Sequence, residues 1–372
     1  MGAKHFGARI TRLEDPALLM GQGRFVDDMN LPGMLHACFV RSPHAHARIR
    51  AIDTKTARAM PGVQAVLTAD DMPERIATGQ IPMLVPSPAI KTPRTQISLA
   101  REEVCYVGQT IAVAIADSRY LAEDAAAAVA IDFEILPAVS DCRDALKPGA
   151  ARVHSDLAAN VAAFVPMSYG DVDAAFKSAA HVFEEEMYLH RGAAMTLEGR
   201  AVLASNDPAA DVLTVWSSTQ TPHLCRGTLA DLFERNLESI RVIAPLVGGG
   251  FGTKAPFYPE EAVIPAAAMR LGRPVKWQED RREHFLSATQ ERDQYWQVAI
   301  AVDRDGKILG LRGGMLHDAG AYLPWGIIVP FIAATTFPGP YVVPAYKIES
   351  TVALTNRVPT TVVRGAGRPQ AV

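Results

Sequence analysis

Apolar and polar positions along this chain change over in short bursts, so the pattern predicts many brief strands and only a few helices. Leu35–Arg41 and Thr110–Ala116 are short apolar runs bounded by turn or polar residues, the signature of buried strands. Ser118 then stands where a helix N-cap belongs, with acidic residues in the turns that follow, and predicts a helix through Ala128. Val129–Leu136 reads as a returning strand. Beyond a zone broken by Pro137 and Lys147-Pro148-Gly149, Tyr169–Phe176 is expected to begin a short helix and Ala180–Tyr188 to begin a long strand. Further strands are expected at Ala201–Ala204, Val212–Ser217 and Arg241–Ile243, with helices over Thr221–Leu232 and Pro259–Arg270. Trp296–Val302 alternates in period two and meets Asp303-Arg304-Asp305-Gly306 before Lys307–Arg312, which is a hairpin signal.

The mixture predicts an α+β protein divided at residues 138–160, with one domain over 1–137 and a second over 161–372. With 372 residues, 49% hydrophobic and 21% charged, the chain has ample material for a core. A formal net charge of −3 and the absence of any Lys/Arg-rich run supply no footprint for nucleic acid. The opening residues Met1–Asp15 lack the apolar centre of a signal peptide, and the most apolar stretch, Gly326–Ala334, is far shorter than the roughly 20 residues that span a bilayer. Buried core in a soluble, cytoplasmic protein is the expectation. Cys38, Cys105, Cys142 and Cys225 form no C-x-x-C pair, so no iron–sulfur or zinc framework is recognisable, and Cys225 is expected to serve packing.

Chemistry concentrates in three places. Val247-Gly248-Gly249-Gly250-Phe251-Gly252-Thr253-Lys254 follows an apolar run, and glycines there let backbone approach a ligand closely. Its spacing fits neither a P-loop nor the dinucleotide fingerprint, because Thr253 stands where each needs glycine. Alone, the turn reads equally well as a tight structural bend. Ser218–His223 offers the amide of Gln220, and Arg364-Gly365-Ala366-Gly367-Arg368-Pro369 offers a cation in a second glycine loop. Each of the first two turns lies between an expected strand and an expected helix, which places them at one end of a sheet, where ligands commonly bind. A neutral donor, backbone N–H groups and a fixed cation suit an oxyanion or a metal-oxo group.

With these three motifs in order, and with Gly21–Asp28, Arg41–Ile49 and Val104–Gln109 upstream, the chain resembles the N-terminal half of the large, molybdopterin-binding subunit of the xanthine oxidase family of molybdenum hydroxylases. The resemblance implies an α/β hammerhead domain followed by the first part of a molybdopterin-binding domain. It implies a molybdenum–molybdopterin cofactor, which can carry a cytosine dinucleotide, held by its own dithiolene rather than by protein ligands. Gln220 then matches the glutamine that hydrogen-bonds an oxo ligand, Phe251 the phenylalanine whose backbone lies beside the metal, and Gly249, Gly250 and Gly252 the surrounding loop. Arg364 and Gly365 match the second cofactor loop. Members hydroxylate a carbon with water-derived oxygen and a glutamate general base, which is expected beyond Val372. Electrons pass to an iron–sulfur subunit carrying [2Fe–2S] and to an FAD subunit, and a C-terminal molybdopterin-binding polypeptide is expected if the gene is split.

Departures from the family pattern bear on substrate. Purine-oxidising members carry a glutamate where Ala255 stands, an arginine where Ile332 stands and a stacking aromatic where Ala366 stands; carbon-monoxide-oxidising members carry a copper-binding cysteine where Gly365 stands. An aldehyde or an N-heteroaromatic ring is left as the expected substrate, with a carbon monoxide or xanthine dehydrogenase subunit as an alternative despite Gly365 and Ala255. Two other readings compete with the enzyme: a non-catalytic assembly fragment of such a complex, and a nucleotide-binding protein built on the glycine turn. Glu198, in Leu197-Glu198-Gly199-Arg200, is expected to make a structural ion pair or hydrogen bond rather than act as a base. His44 and His46 are expected on one strand face without a third metal ligand nearby, and His223 to cap or orient the loop near Gln220.

Overall fold

A computed structural model describes residues 5–369; Met1–Lys4 and Gln370–Val372, the segment beyond which the glutamate base is expected, lie outside the described residues. Local signals hold closely where an apolar run is short and bounded. Leu35–Arg41 and Thr110–Ala116 are strands with the expected limits, paired antiparallel. The helix Arg119–Ala127 is capped by the Ser118 side chain, which accepts a hydrogen bond from the Leu121 N–H. The hairpin pairs Gln294–Val302 with Ile308–Asp318, and Asp303 closes its turn by accepting from the N–H groups of Asp305 and Lys307.

A seven-stranded sheet forms the centre of the molecule, in the order Ile240–Ile243, Val212–Ser217, Ala201–Asp207, Val275–Gln278, Leu35–Arg41, Thr110–Ala116, Val63–Leu67. It takes strands from both sides of residues 138–160: Leu35, His36 and Ala37 pair in parallel with Val275, Lys276 and Trp277. The core on this sheet is correspondingly continuous, running from Leu35, Phe39 and Val113 to Leu213, Val263 and Trp277. Residues 138–160 pack rather than hang free. Val139 and Val153 are buried, and Asn356 ties them down by accepting from the Val139 N–H and donating to the carbonyls of Cys105 and Val153.

A second sheet of five strands, in the order Val161–Tyr169, Tyr346–Ala353, Ile308–Asp318, Gln294–Val302, His181–Leu189, packs Trp296, Met315 and Ile348 beneath the helix Ile328–Thr336. The apolar stretch Gly326–Ala334, expected as buried core, supplies most of a helix with one buried face. Ala333 and Ala334 point into the core while Phe331 is exposed. His44 and His46 also depart from expectation, since both lie in the bend before the strand Ala47–Asp53 rather than within it. Among the described residues no helix is long and apolar enough to cross a membrane.

Candidate functional site

Two parallel neighbours of the central sheet, Val212–Ser217 and Ile240–Ile243, end at the same edge. Each chain continues through a turn into a helix, Pro222–Leu232 after the first and Pro259–Leu271 after the second. Parallel pairing therefore brings Gln220 and the glycine turn side by side. The contact is hydrogen-bonded along its length: the Gln220 N–H donates to the Lys254 carbonyl at 2.9 Å, and the Thr221 hydroxyl to the Ala255 carbonyl at 2.8 Å.

The Gln220 side chain accepts the Gly252 N–H through Oε1 at 2.8 Å. A backbone N–H can only donate, so this bond fixes the amide orientation and leaves Nε2 as a donor with no protein partner among the described residues. Gly250 is necessary for that approach, because a Cβ there would fall 2.5 Å from Gln220 Oε1. Gly252 has φ +101°, and a Cβ on it would fall 2.1 Å from the Val362 carbonyl oxygen, so glycine also admits the second loop. That loop is bonded directly to the first: the Arg364 N–H donates to the Phe251 carbonyl at 2.7 Å.

The three motifs thus meet in one place. Phe251 holds φ +54°, uncommon for a bulky residue, and is half exposed. The N–H groups of Gly249, Gly250 and Phe251 have no protein acceptor among the described residues, which makes the rim a concentration of unspent donors. Arg364 is exposed beside it, and Ile332 packs against Gly367 of the second loop next to Ala366. Ala255 is buried behind the first loop. His223 lies exposed on the first helical turn and makes no hydrogen bond to the loop among the described residues.

Beneath the rim the charges are buried and paired. Glu198 accepts from the Gly248 N–H at 2.7 Å and from the Lys254 ammonium at 2.8 Å, an ion pair that pins both ends of the glycine turn. Burial lowers the Lys254 pKa against the opposing pull of Glu198. Arg200 lies over the Tyr258 ring at 3.9 Å and binds both Glu260 and Glu279. Arg41 joins the cluster through Glu260 at 2.7 Å and Glu283 at 2.9 Å. Burial would raise the Glu279 pKa, but Arg200 and a hydrogen bond with His284 outweigh it and hold the group at about 2. Cys225 is buried, its thiol directed at Glu261, and burial raises its pKa well above the ordinary thiol value.

The Glu198 ion pair is the structural role expected from the sequence, but the network of Arg41, Arg200, Glu260 and Glu279 escaped the sequence reading. Only Glu260-Glu261 inside the otherwise apolar Pro259–Leu271 could have signalled it, because acidic residues buried in a helix demand partners. A second correction concerns His46. It does have further ligand-type groups nearby, for Glu103 and Cys105 place their side-chain atoms within 4.8 Å of its ring nitrogen and of one another.

Comparison with known proteins places the chain in a family. Residues 153–372 match the family model of the molybdopterin cofactor-binding domain, and residues 20–137 that of the aldehyde oxidase and xanthine dehydrogenase a/b hammerhead domain. The chain belongs to the xanthine oxidase family of molybdenum hydroxylases. It is 38% identical over 365 residues to the nicotine 6-hydroxylase large subunit of Paenarthrobacter nicotinovorans, covering 97% of this chain and 44% of that one. It is also 38% identical over 327 residues to the carbon monoxide dehydrogenase large chain of Hydrogenophaga pseudoflava, covering 84% of this chain and 40% of that one. Quinoline 2-oxidoreductase from Pseudomonas putida 86 superposes with a TM-score of 0.90 at 37% identity, over 97% of this chain and 46% of its own. The chain therefore spans less than half the length of these relatives. The family's cofactor fits what the loops present: a cradle that a single Cβ would fill at Gly250, and, among the described residues, a rim of unpaired N–H groups and a free amide donor on Gln220.

Proposed function

We propose that this chain supplies the molybdopterin-binding cradle of a cytoplasmic molybdenum hydroxylase acting on an N-heteroaromatic ring or an aldehyde, with electrons passing to iron–sulfur and FAD subunits. The single observation that carries the reading is the joining of three distant segments through the Gln220–Gly252 and Arg364–Phe251 hydrogen bonds. When bound, the cofactor supplies oxidative hydroxylation with oxygen from water. The chain's own part is positional. Gln220 offers Nε2–H to an oxo group, Gly249, Gly250 and Phe251 offer backbone donors, and Arg364 offers positive charge.

The ring-oxidising reading draws support from the names of two relatives, a nicotine hydroxylase and a quinoline oxidoreductase. Gly365 provides no thiol for copper, and Ala255 and Ile332 provide no charged pair for a purine. In this reading the general base and the remaining cofactor contacts come from sequence outside these 372 residues, on the same or a second polypeptide. Metal analysis tests it. The 372-residue chain alone should retain little molybdenum, whereas assembly with the segment that completes the relatives' length should restore stoichiometric metal and reduction of a dye by pyridine- or quinoline-type substrates. Tight stoichiometric molybdenum in the 372-residue chain alone would defeat the divided-site reading, and an assembled, molybdenum-free complex with the partner subunits would favour the non-catalytic fragment.

A further inference from the structure

Away from the cradle, four side chains of metal-binding type converge where the hammerhead region meets residues 138–160. His46 Nε2 lies 3.4 Å from Glu103 Oε2, Glu103 Oε1 lies 3.8 Å from Cys105 Sγ, and Cys105 Sγ lies 3.3 Å from His154 Nδ1. Around a tetrahedral zinc ion, bond lengths of about 2.0 Å to nitrogen and oxygen and about 2.3 Å to sulfur place neighbouring ligand atoms roughly 3.3–3.6 Å apart. These three edges lie at or slightly outside that range; His46, Glu103 and Cys105 lie mutually within 4.8 Å, and His154 joins them from the Cys105 side, its Nδ1 3.9 Å from Glu103 Oε1, so that a bound ion would draw the two imidazoles in around it.

Both imidazoles are also oriented for ligation. His46 Nδ1 donates to the Pro137 carbonyl at 2.8 Å, and His154 Nε2 donates to the Ala321 carbonyl at 2.7 Å. A carbonyl only accepts, so each ring spends its outer N–H on backbone and turns its other nitrogen to Glu103 or Cys105, the tautomer-fixing arrangement that supports metal-ligating histidines. Ser155 holds the Glu103 carboxylate through its N–H at 3.2 Å. Cys105, His46 and His154 are buried, and Glu103 and His154 also line a surface cavity of about 460 Å³, which gives an ion a way in.

We propose that His46, Glu103, Cys105 and His154 form a structural site for a zinc-type divalent cation. Two neutral imidazoles, one carboxylate and one thiolate neutralise a dipositive ion, so the bound cluster carries no net charge into the core. Binding displaces the Cys105 thiol proton to solvent, together with any proton shared between His46 and Glu103; no electrons move. The ion would fasten the His154 segment to the loop that carries Glu103 and Cys105 and to the bend at His46. The competing arrangement is a purely protonic network, with hydrogen bonds in place of metal bonds.

Cobalt(II) and zinc distinguish the two on the whole 372-residue chain. Zinc should remain at one equivalent through dialysis, and cobalt should give a near-ultraviolet thiolate-to-metal charge-transfer band. C105S should abolish the band and weaken binding roughly 100-fold or more, and H154Q should keep the band while weakening binding roughly 10-fold or more, whereas H44A, outside the cluster, should do neither. Failure to retain zinc, cobalt binding without a thiolate band, or a band that survives C105S would each overturn the site. Circular dichroism identifies a variant that has not folded; H154Q then carries the test, and unchanged cobalt affinity in it overturns the proposal.

Discussion

The rim of the cradle and the floor beneath it treat polar groups in opposite ways. On the floor, Arg41, Arg200, Glu260, Glu279 and His284 are packed and paired by charge-assisted hydrogen bonds. On the rim, within one turn of Lys254, three N–H groups and the Gln220 Nε2 lack a partner among the described residues, and Phe251 sits at positive φ. Such a rim persists only if the structure around it over-determines its geometry. The floor supplies that constraint, and the unsatisfied donors are thereby left available for a ligand.

Breaking the floor should have the largest effect. Glu279→Gln removes the charge that Arg200 contacts through two of its nitrogens, and loss of one partner of a buried pair costs about 3–5 kcal/mol. Denaturant unfolding of the 372-residue chain measures it. The same group sets an acid limit. Its folded pKa of about 2 lies below the ordinary carboxylate value of about 4.3, so its stabilisation is complete above the higher value and is lost as pH falls toward the lower. Stability measured from pH 5 down to pH 2 should fall in the parent and less steeply in Glu279→Gln; parallel curves would assign the acid loss to other groups.

Cutting the rim from its second loop should come next. Gly252→Ala places a Cβ 2.1 Å from the Val362 carbonyl and strains a φ of +101°. About 2–3 kcal/mol of stability is expected to go, with the Phe251–Arg364 hydrogen bond broken. Amide hydrogen exchange at Arg364 checks this directly. Protection there that matches the parent would show that the two loops are held together by other contacts.

The rim and the floor also differed in how readable they were. Glycine clusters and a lone Gln between a strand and a helix are local features, and the short parallel strands that align them carry local apolar signals. Val275–Gln278 shows what locality cannot reach. Its parallel pairing with Leu35–Ala37 joins segments some 240 residues apart, with no local pattern to announce it. The strand Val161–Tyr169 was missed for a different reason: Phe164 and Tyr169 are exposed, so its apolar residues do not mark one buried face. The floor network needed burial to be known first, since Arg and Glu in sequence read as surface residues.

Gln220→Glu separates fit from folding. It keeps the oxygen that accepts from Gly252 and removes the Nε2 donor. Stability should change by less than about 0.5 kcal/mol, while turnover of the assembled, metal-loaded enzyme should fall roughly 100-fold, the usual cost of losing one aimed donor. A loss of stability with turnover retained would make Gln220 a structural residue only.

The smallest effect should have the opposite sign. Phe251 is half exposed and pays for φ +54° with about 1–2 kcal/mol of backbone strain that glycine avoids. Glycine in turn costs about 0.5–1 kcal/mol through the greater freedom of the unfolded chain. Phe251→Gly should therefore stabilise the 372-residue chain by up to about 1 kcal/mol, read as a higher denaturation midpoint with an unchanged slope. Destabilisation would mean that the ring, which lies over Gly249, packs more favourably than its exposure indicates. Stabilisation would show that the rim is held in a costly conformation by the charges below it, and that the aromatic at this position answers to the ligand rather than to the fold.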